Sequence, residues 1–245
     1  MAVVRPGDRV GLKEYRAKRR FAVTPEPSGQ TIAPRRRLTA LSFVVQKHRA
    51  SHLHYDFRLE WNGVLLSWAV PKGPSLDPSV KRLAMAVEDH PLEYAGFEGI
   101  IPETEYGGGT VMVWDTGTYV SDDPDVGRSL QKGEIKFTLH GKKLKGSWVL
   151  VRTRDRTPTD RPGRQWLLIK HRDAAASDKD ITETEPRSVL SRRLLFEIAH
   201  DEGGNVQKAA TGDPLEEIQK FLKKPRVRPR RRSRTPSVWH SKGSS

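Results

Sequence analysis

From Ser42 to about Asp173 the chain runs as short apolar stretches separated by Gly, Pro and Asp. SFVVQKH, LHYDFRLEW, VLLSWAV, RLAMAVE, GTVMVWD, EIKFTLH, GSWVLVR and QWLLIKH each have the texture of a short strand, with apolar and polar positions alternating along several of them. Eight such runs predict a mainly β fold. The expected form is a closed or nearly closed antiparallel β-barrel of about eight strands, followed by short C-terminal helices. No repeat of fixed period is present. The pattern divides the chain into an arm over 1–40, a barrel over 41–173, a linker with two helices over 174–224, and a tail over 225–245.

Asn62-Gly63 gives the sharpest local expectation. Asn-Gly between two alternating runs favours a two-residue type I′ turn. That turn sets Trp61 opposite Val64, Leu59 opposite Leu66, Phe57 opposite Trp68 and Tyr55 opposite Val70, one apolar face with cross-strand aromatic pairs. In the arm, one short helix is expected near Leu12 to Arg19. After Asp173, AAASDKDITETE reads as a linker. PRSVLSRRLLFEIAHDE reads as a helix with Leu190, Leu194 and Ile198 four apart. A second helix is expected from Pro214 to about Lys224, with Asp213 as N-cap, Glu216 completing a capping box, and Leu215, Ile218 and Leu222 along one side. These helices are expected to pack on the barrel rather than to dock a partner.

Composition changes the picture in two ways. The chain has 245 residues, a net charge of +14 and only 35% hydrophobic residues, so part of its length is not expected to pack. The run KKPRVRPRRRSR at 223–234 holds eight basic and no acidic side chains, which is more than half of the net charge. Such a basic tail, expected to be disordered, points to a polyanion, most simply nucleic acid. No cysteine is present, which excludes disulfides and thiolate metal sites. Neither a secretory leader nor a membrane-spanning run is legible, so a soluble, cytoplasmic protein is expected.

The polar side of the first hairpin strand carries candidate chemistry. A period of two places His54, Asp56 and Arg58 on one face, opposite the small residues Ala69 and Ser67. An imidazole and a carboxylate two residues apart suit a divalent cation. A third ligand is available from His48 at the end of the preceding strand, with His52 ranked below it. Two His and one carboxylate suit catalytic Mn²⁺ or Zn²⁺, and Arg58 beside them offers a planar fork for phosphate. A second cluster, Arg82, Glu88, His90 and Tyr94, follows in KRLAMAVEDHPLEY. Arg82, Glu88 and His90 share strand parity, though Pro91 bends the chain there. The glycines of EYGGGTV lack the ending of a phosphate loop and read as a turn into a strand.

Taken together, KRRFAVTPEPSG, QKHRASHLHYDFRLE, KRLAMAVEDHPLEYAGFEGIIP, EYGGGTVMVWDTGTY and WLLIKHRD resemble the 3′-phosphoesterase domain of bacterial DNA ligase D, over about residues 14–173. The likeness implies a β-barrel enzyme of non-homologous end joining that trims DNA 3′ ends with Mn²⁺, other divalent metals such as Zn²⁺ or Co²⁺ being alternatives. It removes a terminal ribonucleoside and then the remaining 3′-phosphate. It implies His48, His54 and Asp56 as metal ligands and Arg58, His90 and Tyr94 as phosphate contacts, with Arg82 close by. It ties Arg19, Glu26 and Glu88 to the ribonucleoside step, so the arm contributes to the active site. Implied partners are DNA 3′ ends, a DNA ligase and a Ku-type end-binding protein; the implied location is the nucleoid. The length and the lack of ligase or polymerase signatures suggest a standalone form. Where the family reads Lys-Arg-Asp-Phe, this chain has Arg20 in place of the aspartate. Two rival readings are a non-catalytic module that binds DNA ends or repair partners, and a metal-dependent phosphodiesterase acting on RNA.

Overall fold

The computed structural model describes residues 11–29, 41–153 and 163–223. Ten strands follow in chain order: β1 Leu41–Arg49, β2 Leu53–Trp61, β3 Val64–Val70, β4 Lys81–Ala86, β5 His90–Pro91, β6 Gly99–Ile101, β7 Gly109–Ser121, β8 Glu134–Gly141, β9 Lys145–Arg152 and β10 Gln165–Lys170. Eight of them close a ring in the order β1-β2-β3-β4-β10-β9-β8-β7, with β7 pairing back to β1. Every pairing is antiparallel. Closure removes open strand edges. These eight are the runs expected from the alternation. The two-residue β5 and the three-residue β6 attach to β3 and β7.

The β2–β3 hairpin has the expected register, Trp61 facing Val64 through Tyr55 facing Val70. Asn62 and Gly63 both have positive φ, 48° and 82°, as a type I′ turn requires. The apolar face points into the barrel. Phe57 stacks on Phe43 at 6.3 Å and meets Phe137 in a tilted contact at 5.8 Å, and Tyr119 meets Phe137 edge-on. The opposite, polar face of β1 and β2 is also largely buried, because other segments of the chain lie over it. The arm crosses that face: α1 (Leu12–Ala17) buries Leu12 and Tyr15.

The C-terminal segment packs on the barrel, although its helices are shorter and placed differently from expectation. α2 (Val126–Lys132) lies between β7 and β8. Beyond the barrel come α3 (Ile181–Thr184), α4 (Leu195–Glu202), α5 (Val206–Ala210) and α6 (Leu215–Lys223). Part of the expected linker is therefore helical: Asp180 caps α3 through the N–H of Thr182, and Ile181 is buried. The helix expected from Pro186 starts only at Leu195. Ser188 Oγ accepts from the N–H groups of Leu190 and Ser191, and Arg192 takes a positive φ of 64°, so the chain turns there. Leu190 is left exposed while Leu194 and Ile198 are buried. Asp213, expected to cap α6, instead accepts from the N–H of Phe196 in the first turn of α4 and pairs with buried Lys47. On α6 the residues facing the core are Ile218 and Phe221; Leu215 and Leu222 are exposed. Among the described residues no helix is long and apolar enough to cross a membrane. The expected tail, 225–245, lies outside the described residues.

Candidate metal centre and phosphate pocket

The antiparallel register of β1 and β2 sets His48 directly opposite His54 and Gln46 directly opposite Asp56. Paired residues share a face, so His48, His54 and Asp56 converge. Their ligand atoms all lie within 4.8 Å of one another. His48 Nδ1 and His54 Nε2 each stand 3.7 Å from an Asp56 oxygen. The remote ring nitrogens are tied to backbone. His48 Nε2 lies 2.8 Å from the Gly107 carbonyl, and His54 Nδ1 lies 3.0 Å from the His52 carbonyl. A carbonyl only accepts, so those nitrogens are the donors, and the inward nitrogens are the ones turned toward a ligand. Burial pushes the Asp56 carboxyl up, but Arg58 and then His54 and His48 outweigh it and hold the group well below the usual carboxylate range. Burial keeps the His48 imidazole below its ordinary value. The two inward ring nitrogens and the ionised Asp56 carboxylate form a donor set that fits a divalent cation. His52 adds its carbonyl and points its side chain to solvent.

Arg58 is buried and each of its three nitrogens has a partner. Nε donates to Gln46 Oε1 at 2.8 Å, Nη1 to Ser67 Oγ at 2.7 Å, and Nη2 to Asp56 at 3.0 Å. The Gln46 amide is itself fixed by the carbonyls of Tyr94 and Phe97. The guanidinium therefore supplies fixed positive charge and orients Asp56. Short strand β5 brings His90 opposite Leu65 of β3, next to this row.

His90 is held between two guanidiniums. Its Nδ1 lies 2.8 Å from Arg58 Nη1 and 2.9 Å from the Glu88 carbonyl, and its Nε2 lies 3.3 Å from Arg19 Nη2. Burial, then Arg58 and Arg19, keep the ring neutral, well below the ordinary histidine value. A neutral imidazole has one lone pair and one N–H, whereas a guanidinium only donates. Either tautomer therefore sets an N–H against one of the two arginines. An anionic oxygen beside the ring would give such a facing pair of donors an acceptor. Tyr94 packs edge-on against His90 at 4.7 Å, and Arg58 lies 5.0 Å over the Tyr94 ring. Burial, followed by Glu26, keeps Tyr94 a phenol.

The arm packs against His90, Glu88 and Tyr94. Arg19 Nε donates to Glu26 Oε1 at 2.8 Å, Nη1 reaches Glu88 Oε1 at 3.3 Å, and the guanidinium lies 3.8 Å from the Tyr15 ring centroid. Glu26 also accepts from Thr24 Oγ1. Lys18 Nζ lies 3.0 Å from Glu88 Oε2. Arg20 leaves the pocket and forks onto buried Glu105.

Of the residues expected at the site, nine gather: His48, His54, Asp56, Arg58, His90, Tyr94, Glu88, Arg19 and Glu26. Arg82 does not share their face. Its β4 partners alternate, so Arg82 pairs with Leu168 and shares the parity of Ala84 and Ala86, which face Trp166 and Trp68 of the core. The Arg58 row instead continues through Ala69 to Met85. Residues 87–89, between β4 and β5, break the parity that would have aligned Arg82 with His90. Sequence reasoning missed Gln46, Tyr15, Lys18 and the Gly107 carbonyl. Gln46 was within reach, being two residues from His48 on the same face. The others depend on where the arm and the 102–108 loop dock.

The sequence model of the DNA ligase D 3′-phosphoesterase domain matches residues 46–152. The chain is 53% identical over 190 residues to the multifunctional non-homologous end joining protein LigD of Pseudomonas aeruginosa, an alignment covering 76% of this chain and 22% of that protein. It is 43% identical over 178 residues to the multifunctional non-homologous end joining DNA repair protein LigD of Mycobacterium tuberculosis, covering 70% and 21%. A third relative, from Mycolicibacterium smegmatis, is 40% identical over 167 residues. The chain thus spans about a fifth of the length of the curated relatives it matches.

Proposed function

The chain belongs to the DNA ligase D 3′-phosphoesterase family, and on that premise we propose that its pocket removes the terminal phosphate from DNA 3′ ends during non-homologous end joining. The observation that carries the reading is His90 held neutral between Arg19 and Arg58, beside a ready set of cation ligands. A terminal phosphate has the acceptor oxygens that the facing donors of His90 and the two arginines lack.

A divalent cation held by His48 Nδ1, His54 Nε2 and Asp56, with Mn²⁺ the ion the family resemblance favours, supplies Lewis-acid neutralisation of phosphoryl charge. The chain's own groups do the rest. Arg19 and Arg58 hold positive charge on two sides of the phosphate, one fixed by Glu26 and Glu88, the other by Gln46, Ser67 and Asp56. Their donors are oriented before the substrate arrives, so little reorganisation is needed as charge develops. The bound dianion offsets the field that keeps His90 neutral. His90 Nε2 then takes up a proton from solvent and gives it to the 3′-oxygen as its bond to phosphorus breaks. Meanwhile a water adds to the phosphorus, loses a proton to solvent and departs within inorganic phosphate. The Tyr94 hydroxyl, held protonated, donates to a phosphoryl oxygen. The basic run at 223–234 adds sequence-independent attraction to the DNA backbone.

Removal of a terminal ribonucleoside is the weaker activity in this reading. Arg20 stands where the family has an aspartate and offers no acceptor, and Glu105 holds its guanidinium outside the pocket. The partners of this reading are a DNA ligase that seals the resulting 3′-hydroxyl and a Ku-type protein that holds the end. The complete ligand set weighs against a module that only binds ends. The test is a panel of matched primer-templates ending in 3′-phosphate or one 3′-ribonucleotide, together with an RNA of the same sequence. The proposal expects rapid 3′-phosphate release, slow ribonucleoside release and little action on RNA. Preference for RNA, or no release from any end, would overturn it.

A further inference from the structure

Tyr106 is a large aromatic side chain half exposed at the rim of this pocket. Its exposure is not that of a loose loop tip, because the backbone is pinned on both sides. One residue before it, buried Glu105 is gripped by Arg20 of the arm. One residue after it, the Gly107 carbonyl accepts from His48 Nε2 at 2.8 Å. Within the loop, Glu105 N–H bonds the Pro102 carbonyl and Gly108 N–H bonds the Glu105 carbonyl. Gly107 has a positive φ of 78°, which suits the turn to glycine.

The ring is also placed with respect to the pocket. Lys18 Nζ lies 4.7 Å from its centroid, and the Arg19 guanidinium lies at 5.8 Å. Arg19 in turn reaches His90 Nε2 at 3.3 Å. The order from inside to outside is therefore His90, Arg19, Tyr106 and solvent. A phosphate seated beside His90 and Arg19 leaves its nucleoside to exit past Tyr106. A half-exposed aromatic ring held at that point suits a nucleobase, and the cations that lie over the ring add to stacking on it.

We infer that Tyr106 is the stacking platform for the terminal nucleobase of the substrate strand. The inference rests on the reading of the pocket as a 3′-phosphate site and adds how the enzyme recognises the nucleoside that carries the phosphate. Every base has a π-face, so the platform is tolerant of sequence and selective for the presence of a base.

The experiment compares the unmutated protein with Tyr106→Ala and Tyr106→Phe on two primer-templates. One ends in a normal 3′-phosphorylated nucleotide and the other in a 3′-phosphorylated abasic site. Tyr106→Ala should raise KM on the normal end by about tenfold or more, within the range of one base–aromatic stack, with kcat little changed. Tyr106→Phe should match the unmutated protein, since the ring and not the hydroxyl acts. On the abasic end all three proteins should have the same KM. Equal KM for all three on the normal end, or an equal rise on both ends, would overturn the inference. Circular dichroism melting of each variant checks that the fold is kept. If the unmutated protein releases phosphate from neither end, the phosphatase reading fails, and a direct readout still decides the platform. A 3′-terminal 2-aminopurine should change its fluorescence on binding the unmutated protein and Tyr106→Phe but not on binding Tyr106→Ala. No difference among the three would then overturn it.

Discussion

His48 and His54 face each other across β1 and β2 and turn opposite ring nitrogens, Nδ1 and Nε2, toward the same Asp56 carboxylate. The tautomer of each is set by a backbone carbonyl, that of Gly107 for one and of His52 for the other. The site is thus assembled by strand register and finished by a loop that arrives from elsewhere.

It follows that His54→Ala should abolish cation binding without unfolding the barrel. His54 lies on the polar face, while Phe57 and Trp68 hold the core side of the same hairpin. Losing one of three protein ligands should weaken Mn²⁺ binding by more than about a hundredfold, at least the effect of losing an outer partner of a ligand. Calorimetric titration with Mn²⁺ and a thermal melt check this. A large fall in melting temperature with cation affinity intact would mean that His54 is structural.

Arg20 and Glu105 join the arm to the loop that carries Gly107. Glu105 is buried, so Arg20→Asp sets a second carboxylate beside it and loosens both segments. The substitution that matches the family's pattern at this position should therefore lower phosphate release by itself. Pairing it with Glu105→Arg should restore the contact and the activity. Initial rates of the two single variants and the double variant form the cycle that tests this. Independent, additive effects would show that the two residues do not act together.

His90 gives a pH dependence of stability with a definite sign. Its folded-state value lies well below that of an exposed histidine because of burial and the two arginines. Above the unfolded value of about 6.5 both states are neutral; as pH falls below it, only the unfolded chain takes up the proton. Stability should fall by up to about 1.4 kcal/mol per pH unit from this one group as pH drops below 6.5. In His90→Gln that part of the slope should vanish, as read by urea unfolding between pH 7 and pH 5. Identical slopes would show that His90 protonates freely in the folded protein.

The buried Lys47–Asp213 pair, 3.2 Å apart, fastens the C-terminal segment to β1. Burial raises the Asp213 carboxyl, partly offset by Lys47 and the Phe196 N–H. Asp213→Ala leaves buried Lys47 without its ion-pair partner and uncaps α4, at a cost of about 3–5 kcal/mol. Replacing both residues with apolar ones, Lys47→Met with Asp213→Leu, should recover part of the loss. Chemical unfolding of the three variants measures it.

The ring of eight strands was legible because alternation marks each strand and Asn62-Gly63 fixes one register outright. The face carrying His54, Asp56 and Arg58 followed from a period of two. The parity that aligned Arg82 with His90 does not carry across residues 87–89, which belong to neither β4 nor β5. Leu190, Leu194 and Ile198 have helical spacing, but Ser188 captures two backbone N–H groups and turns the chain before Leu195. Asp213 had the sequence of a cap and serves as one, for a different helix. Where the arm docks, and hence the places of Arg19, Glu26 and Tyr15, is set by long-range packing that no local pattern records. The family resemblance implied Arg19 and Glu26; nothing in the residues themselves did.

The central claim is that His90, between Arg19 and Arg58 and beside the three cation ligands, acts on a terminal phosphate. The most direct test is single-turnover release of phosphate from a 3′-phosphorylated primer-template in Mn²⁺, comparing the unmutated protein with His90→Ala. The account predicts a 3′-hydroxyl product that requires the cation, and a fall of about a hundredfold or more in the variant. Undiminished release by His90→Ala, or release that persists in excess chelator, would contradict it.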